Sequence, residues 1–201
     1  MGSECRSVGG NEDWRIGPAG SRGRAYEGHR GMRGGQAFLV KDASALTAVD
    51  GLLLPGGEST AIRRLIDYAQ MLPALRQFAA EKPVFGTCAG LILLAGTVEG
   101  EEGHIGKMQI TARRNAFGRQ VASFEMQLAI EGVSDSFPAV FIRAPKIVAV
   151  GNGVEVLAMH EGDIVCARDR HLLACSFHPE LTNDHSLMKF FIEDMCRNRR
   201  H

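Results

Sequence analysis

Pro83-Val84-Phe85-Gly86-Thr87-Cys88-Ala89-Gly90-Leu91-Ile92-Leu93-Leu94-Ala95 decides how the chain is read. A short apolar run ends at Gly86-Thr87. A helix-forming run begins at Ala89, and one cysteine occupies the corner between them. This is the Gly-x-Cys-x-Gly form of a nucleophile elbow, in which a strand turns sharply into a helix. Glycines at 86 and 90 leave room for such a turn. The turn presents the Cys88 sulfur at the carboxyl end of a strand. The first free N–H groups of the next helix, and its positive dipole end, then face the sulfur and favour a thiolate. The alternative is a small buried core residue, the commonest fate of a free cysteine. A matching base later in the chain separates the two.

That base is offered by Leu172-Leu173-Ala174-Cys175-Ser176-Phe177, which reads as a buried strand and delivers His178-Pro179-Glu180 at its end. In an extended segment residues two apart point to the same side, and Pro179 stiffens the link. Glu180 can therefore hold the His178 imidazole in one tautomer and orientation. A nucleophile, a base and a carboxylate that orients the base make a Cys88–His178–Glu180 triad. Such chemistry also needs donors for a developing oxyanion. The backbone N–H groups of Gly57 and of Ala89, the residue after the nucleophile, are the natural ones. Gly56-Gly57 would let the backbone approach a substrate closely.

Upstream of the elbow, Ala37-Phe38-Leu39-Val40 predicts a strand. Gly51-Leu52-Leu53-Leu54 is a continuous apolar run, as expected for a strand buried on both faces of a parallel sheet. It ends in Pro55-Gly56-Gly57-Glu58-Ser59-Thr60, where Ser59 or Thr60 can cap a helix over 61–68. A second helix is predicted over 72–80. Beyond residue 109 the pattern changes to short strands separated by turn signals, over 109–112, 123–130, 139–142, 154–159, 163–168 and 172–177. A final helix is predicted over 185–197, with Leu187, Phe190, Phe191, Asp194 and Met195 on one mostly apolar face. Alternating strands and helices followed by a run of strands imply an α/β fold: an open, mostly parallel sheet with helices on both faces, plus antiparallel strands. Ligands of such sheets bind beyond the carboxyl ends of the strands. The loops at 55–60, 87–90 and 178–180 would all lie there.

The chain has 201 residues, enough for one sizeable core. Its formal net charge is 0 and its pI about 7.1, so bulk charge points to neither nucleic acid nor a membrane surface. No stretch approaches the roughly 20 apolar residues of a membrane span, and no apolar leader is visible. The expected compartment is the cytoplasm. Five cysteines (5, 88, 166, 175 and 196) form no CxxC pair, which indicates neither a metal site nor a disulfide framework. Cys166 and Cys175 read as buried strand residues. Residues 1–35 stand apart: rich in Gly and Arg, they contain no run of four apolar residues. The expectation is an atypical, poorly structured segment over 1–35, with little regular structure before Gln36 or a poorly packed strand near Arg15-Ile16-Gly17. A single domain would follow over 36–201. The basic end, 197–201, reads as a solvated tail.

Five stretches together resemble one family. They are Pro55-Gly56-Gly57-Glu58-Ser59-Thr60, Gly86-Thr87-Cys88-Ala89-Gly90-Leu91, Arg114-Asn115-Ala116-Phe117-Gly118-Arg119-Gln120, Phe141-Ile142-Arg143-Ala144-Pro145 and Ser176-Phe177-His178-Pro179-Glu180-Leu181-Thr182. In this order they are similar to the glutaminase subunits of pyridoxal 5'-phosphate synthase complexes, which are flavodoxin-like class I (triad) glutamine amidotransferases. The resemblance implies hydrolysis of L-glutamine, with Cys88 attacking the side-chain amide, His178 protonating the leaving ammonia and Glu180 orienting His178. It implies that Gly57, Glu58, Ser59, Arg114, Ile142 and Arg143 line the glutamine site. It further implies that ammonia passes to a separate synthase subunit, which builds pyridoxal 5'-phosphate from a pentose phosphate and a triose phosphate. No metal or bound cofactor is implied.

Two other readings stand beside it. One is an amidotransferase serving another synthase, or a γ-glutamyl hydrolase; the 114–120 and 141–145 stretches speak against both. The other is a catalytically impaired protein that only docks on the synthase. The family opens with an apolar strand, a Leu-Gln-Gly loop and a helix containing Glu-His. Here Arg15-Ile16-Gly17 and Glu27-Gly28-His29 are only faint echoes, separated by a Gly-, Arg- and Pro-containing stretch of neither strand nor helix pattern.

Overall fold

The computed structural model describes residues 3–8, 35–114 and 123–197. Strands β1 (Ser3–Val8), β2 (Gly35–Val40) and β3 (Gly51–Leu54) are followed by helices α1 (Ser59–Tyr68) and α2 (Leu72–Glu81), strand β4 (Val84–Thr87) and helix α3 (Ala89–Leu94). Then come β5 (Ala95–Val98), β6 (Glu101–Glu102), β7 (Met108–Arg113), β8 (Ser123–Ile130), β9 (Ser134–Ile142), β10 (Lys146–Val150), β11 (Val154–His160), β12 (Asp163–Asp169) and β13 (Leu172–Cys175). Helix α4 (Ser186–Phe190) runs directly into a π-helical segment, Phe191–Arg197.

The main sheet runs β2-β1-β3-β4-β13-β12-β10-β7-β5-β6, with β11 added on β12; β8 and β9 form a separate hairpin. The first five strands pair in parallel throughout. Their spatial order is the 2-1-3-4-5 of flavodoxin-like doubly wound folds. Beyond β13 the ladder turns antiparallel through β12, β10 and β7, and only β5 again runs parallel to its neighbour β7.

Strand alternation sorts the core into two layers. Leu52, Leu54, Val84, Leu172 and Ala174 pack with Ile62 and Ile66 of α1, Leu75 and Phe78 of α2, and Leu91 of α3. The intervening Leu53, Phe85, Leu173 and Cys175 face Leu187, Phe191 and Met195 of the last helix, together with Phe137 and Phe141 of the hairpin. Phe85 and Phe191 meet with ring centroids 5.6 Å apart. Helices thus cover both faces, as the pattern implied, and the continuous apolar runs are those with a hydrophobic layer on either side.

Four strands have no counterpart in the sequence reading: β1, β5, β6 and β10. The most consequential is β1. Little regular structure was expected before Gln36, yet Ser3–Val8 lies between β2 and β3, in register with Gly35–Val40 on one side and with Gly51, Leu52 and Leu53 on the other. Its sequence, SECRSV, lacks an apolar run. Two flanking strands supply partners for the backbone N–H and C=O groups on both edges, and that pairing admits a segment whose composition alone does not call for a strand. The echoes Arg15-Ile16-Gly17 and Glu27-Gly28-His29, and the tail beyond Arg197, lie outside the described residues.

Candidate active site

Three loops converge at the carboxyl ends of β3, β4 and β13. The elbow is the centre. Cys88 has φ 48° and ψ −101°, a left-handed twist that a side-chain-bearing residue adopts only under constraint. Its neighbours impose the constraint. The Cys88 N–H donates to the Cys175 carbonyl of β13 at 2.8 Å, and the Cys88 carbonyl accepts from Ile92. A side chain at Gly86 would strike the backbone of Gly90, and one at Gly90 would strike the Leu54 carbonyl of β3. The two glycines therefore serve close packing of strand, helix and neighbouring strand, and Cys88 itself takes the strained turn. The result is a thiol that is 6 % exposed at the start of α3.

The candidate base, His178, follows β13. His178 N–H donates to the Val140 carbonyl of β9 at 2.8 Å, and Pro179–Leu181 forms a 3-10 turn closed by Leu181 N–H to the His178 carbonyl. The sequence reading had His178 and Glu180 on one side of an extended segment. They do meet, but through this turn: proline's fixed φ suits the first helical position, and the turn folds Glu180 back onto its own histidine. His178 Nδ1 and Glu180 Oε1 lie 2.8 Å apart, both side chains almost buried. With Nδ1 committed to Glu180, Nε2 is the nitrogen left to face sulfur. Burial opposes charge on His178. Hydrogen bonds to Cys88 and Glu180, and the negative charge on both, outweigh it and lift the imidazole pKa to about 10. A protonated imidazole against sulfur is the counter-ion a thiolate nucleophile requires.

Two other buried thiols lie nearby in the sheet. Burial raises Cys166 to about 12 and holds Cys175 well above the ordinary thiol range. Cys175 nevertheless touches both halves of the site. Its carbonyl receives Cys88 N–H, and its thiol donates to the Phe177 carbonyl at 3.4 Å. Sequence reasoning assigned it to the core; its place one β-ladder step from Cys88 follows from the Thr87–Cys175 register.

The third loop follows β3. Gly57 has φ 144°, open to glycine and strained for other residues. Glu58, rather than Ser59 or Thr60, caps α1: its carboxylate accepts from Thr60 N–H at 2.9 Å and Ala61 N–H at 2.7 Å. The helix accordingly begins at Ser59, two residues earlier than read. The Thr60 N–H bond, helped by the Ala61 bond and the positive charge of Arg114, holds Glu58 below the usual carboxylate range.

Arg114 thus lies within electrostatic reach of Glu58, while its backbone N–H and guanidinium engage Glu99. The rest of that motif, residues 115–120, lies outside the described residues. Ile142 ends β9 and Arg143 follows it, both exposed, Arg143 with φ 43°. The Val140–His178 backbone bond keeps this strand end beside the base.

An elbow thiol beside a His–Glu pair, on a sheet with this order, is an arrangement suited to acyl transfer from amides and esters. Among solved structures, the crystal structure of a glutamine amidotransferase is similar with a TM-score of 0.74 and 43% identity, covering 78% of this chain and 85% of that one. Residues 25–197 match the model of the SNO glutamine amidotransferase family, and the chain belongs to that family. Its relatives include the pyridoxal 5'-phosphate synthase subunit PdxT of Geobacillus thermodenitrificans, 55% identical over 182 residues, which span 89% of this chain and 93% of the relative. The protein of the same name from Bacillus licheniformis is 49% identical over 189 residues, or 92% of this chain and 96% of that one.

Proposed function

We propose that this chain is the glutaminase subunit of a pyridoxal 5'-phosphate synthase, hydrolysing L-glutamine to L-glutamate and ammonia. The observation that carries the reading is His178 held between Glu180 and a cysteine at a strained elbow.

The Cys88 sulfur attacks the side-chain amide carbon, and the carbonyl oxygen takes up negative charge. Backbone N–H groups of Gly57 and Ala89 receive that charge. His178 gives its proton to the amide nitrogen, the C–N bond breaks, and ammonia leaves behind a thioester on Cys88. His178, now neutral, takes a proton from water as the water oxygen adds to the thioester carbonyl. The C–S bond breaks, glutamate departs and the sulfur returns to its starting charge. Glu180 fixes the ring throughout. The free ends of glutamine need a cation and an anion: Arg114 or Arg143 for its α-carboxylate, and Glu58 for its ammonium. Each Glu58 oxygen already accepts one helix N–H and keeps a further lone pair. Gly57, Ser59 and Ile142 complete the wall. The reaction uses side chains, backbone and water.

The names of the relatives support a synthase partner that consumes the ammonia. Cys88, Cys166, Cys175 and Cys196 are free thiols, which suits a reducing cytoplasm. No described helix is long and apolar enough to cross a membrane. The test is glutamate and ammonia release from glutamine, measured with and without the cognate synthase subunit. Release that depends on Cys88 supports the reading. Saturable binding to the synthase with no release under either condition would favour a docking role instead.

A further inference from the structure

Gly56 and Gly57 are neighbours with different reasons to be glycine. Gly57 needs its positive φ. Gly56 has no left-handed φ, so backbone strain does not call for glycine there. Its surroundings would not. A Cβ at Gly56 would overlap His178 Cε1, sit 2.8 Å from His178 Nδ1 and lie 3.4 Å from the Cβ of Cys88. The loop was expected to approach a substrate; at Gly56 it approaches the imidazole instead.

We propose that Gly56 is a positioning residue for the base: the space left by its missing side chain is where the His178 ring lies, and this seat keeps the ring on Cys88 and Glu180 at once. The ring is tethered through its backbone and through one ring nitrogen. Its backbone is pinned to Val140 at 2.8 Å and by the 3-10 turn that follows, and Nδ1 is fixed on Glu180 at 2.8 Å. A methyl group on the loop must push the ring away from one partner or push the loop away from the ring. Either movement uncouples base from nucleophile without removing any reacting group.

This rests on the reading of Cys88 and His178 as the reacting pair, and the experiment separates the two ideas. Four full-length proteins are compared: the parent, Gly56→Ala, His178→Ala and the double variant. Melting temperature is read for all four. Glutamine turnover with the synthase subunit, and the titration of the His178 imidazole by NMR, are read for the parent and Gly56→Ala. In the parent background Gly56→Ala lowers the melting temperature; in the His178→Ala background, where the ring is gone, most of that loss disappears. Gly56→Ala lowers kcat about a hundredfold, the low end of what positioned proton transfer contributes, with little change in KM. The His178 titration midpoint falls from about 10 toward the ordinary value near 6.5. Equal losses of melting temperature in both backgrounds would overturn the proposal, as would an unchanged midpoint and kcat in a folded Gly56→Ala. If Gly56→Ala does not fold, folding of the double variant supports the proposal and its failure to fold refutes it. A parent inert toward glutamine would refute the glutaminase reading while leaving the stability comparison intact.

Discussion

The parallel and antiparallel halves of the sheet are built on different rules. In the parallel half, β3, β4 and β13 are buried at every position, and the candidate catalytic residues lie at their carboxyl ends, where backbone geometry fixes them. In the antiparallel half and the hairpin, burial alternates or is irregular, as in β7 and β8. There the candidate substrate contacts, Arg114 and Arg143, are long exposed side chains near strand ends. One half sets up a reaction through corners and main-chain bonds. The other offers adjustable polar groups beside it. Substitutions of Cys88, His178 and Glu180 should therefore act on kcat, and those of Arg114 and Arg143 on KM.

The largest expected effect is at the elbow. Cys88→Ser lowers glutamine turnover by several orders of magnitude, the scale seen when a triad nucleophile is removed, and leaves circular dichroism unchanged. A glutamine-like electrophile, followed by peptide mass spectrometry, labels Cys88 ahead of Cys166 and Cys175, whose buried thiols resist ionisation. Wild-type turnover in Cys88→Ser would remove the foundation of the contrast.

Next come the base and its support. His178→Ala abolishes the proton transfers; Glu180→Gln leaves the ring in place with less charge to hold it, and costs less. The same pair sets a pH dependence. Because the native state raises the His178 pKa to about 10, it binds that proton more tightly than the unfolded chain does. The associated stability is complete below about pH 6.5 and is lost as pH rises through about 10. Melting temperature against pH should be flatter across that window in His178→Ala, and the upper edge of the window should move down in Glu180→Gln. A parent curve already flat from 6.5 to 10 would count against the pair.

The antiparallel half should respond differently. Arg143→Ala and Arg114→Ala each remove a candidate partner for the glutamine α-carboxylate. A hydrogen bond to a charged group contributes about 1.5–3 kcal/mol, or roughly a 10- to 100-fold rise in KM, with kcat nearly kept. Steady-state kinetics with saturating synthase subunit measures this. A fall in kcat with constant KM would place these arginines with the chemistry and dissolve the distinction between the halves.

The same contrast explains what could be read in advance. Gly51-Leu52-Leu53-Leu54 and the Val84-Phe85 run announce themselves because a strand covered on both faces is apolar at every position. The meeting of Cys88, His178 and Glu180 was legible because Cys88 and His178 each lie just past such a run. The strands that escaped notice, β5, β6 and β10, have no such covering: β6 is two glutamates, and three of the five residues of β10 are exposed. β1 escaped because flanking backbone places it, and side-chain pattern does not. Glu58 escaped as a cap because Ser59 and Thr60 have the stronger intrinsic preference, whereas the observed bonds use the longer carboxylate one residue earlier. The role of Gly56 depends on what lies across the loop from it, which no local pattern records.

The smallest effect sharpens the claim that the parallel half stores its function in backbone strain. Removing the Cys88 side-chain sulfur while keeping a Cβ, as in Cys88→Ala, keeps the strained φ 48° and ψ −101°. Cys88→Gly relieves it, because glycine reaches positive φ without a steric penalty. Residues held in sparsely populated backbone regions cost about 1–3 kcal/mol. Against this, a glycine loses about 0.5–1 kcal/mol more on folding, through its freer unfolded chain. The difference leaves Cys88→Gly more stable than Cys88→Ala by about 1 kcal/mol, which in a chain of this size is a rise of roughly 2–4 °C in melting temperature. Both variants lack the nucleophile, so the comparison is free of substrate effects and isolates the backbone. If Cys88→Gly melts at or below Cys88→Ala, the elbow is not strained, and its geometry follows from the packing of Gly86 and Gly90 against α3 and β3 alone.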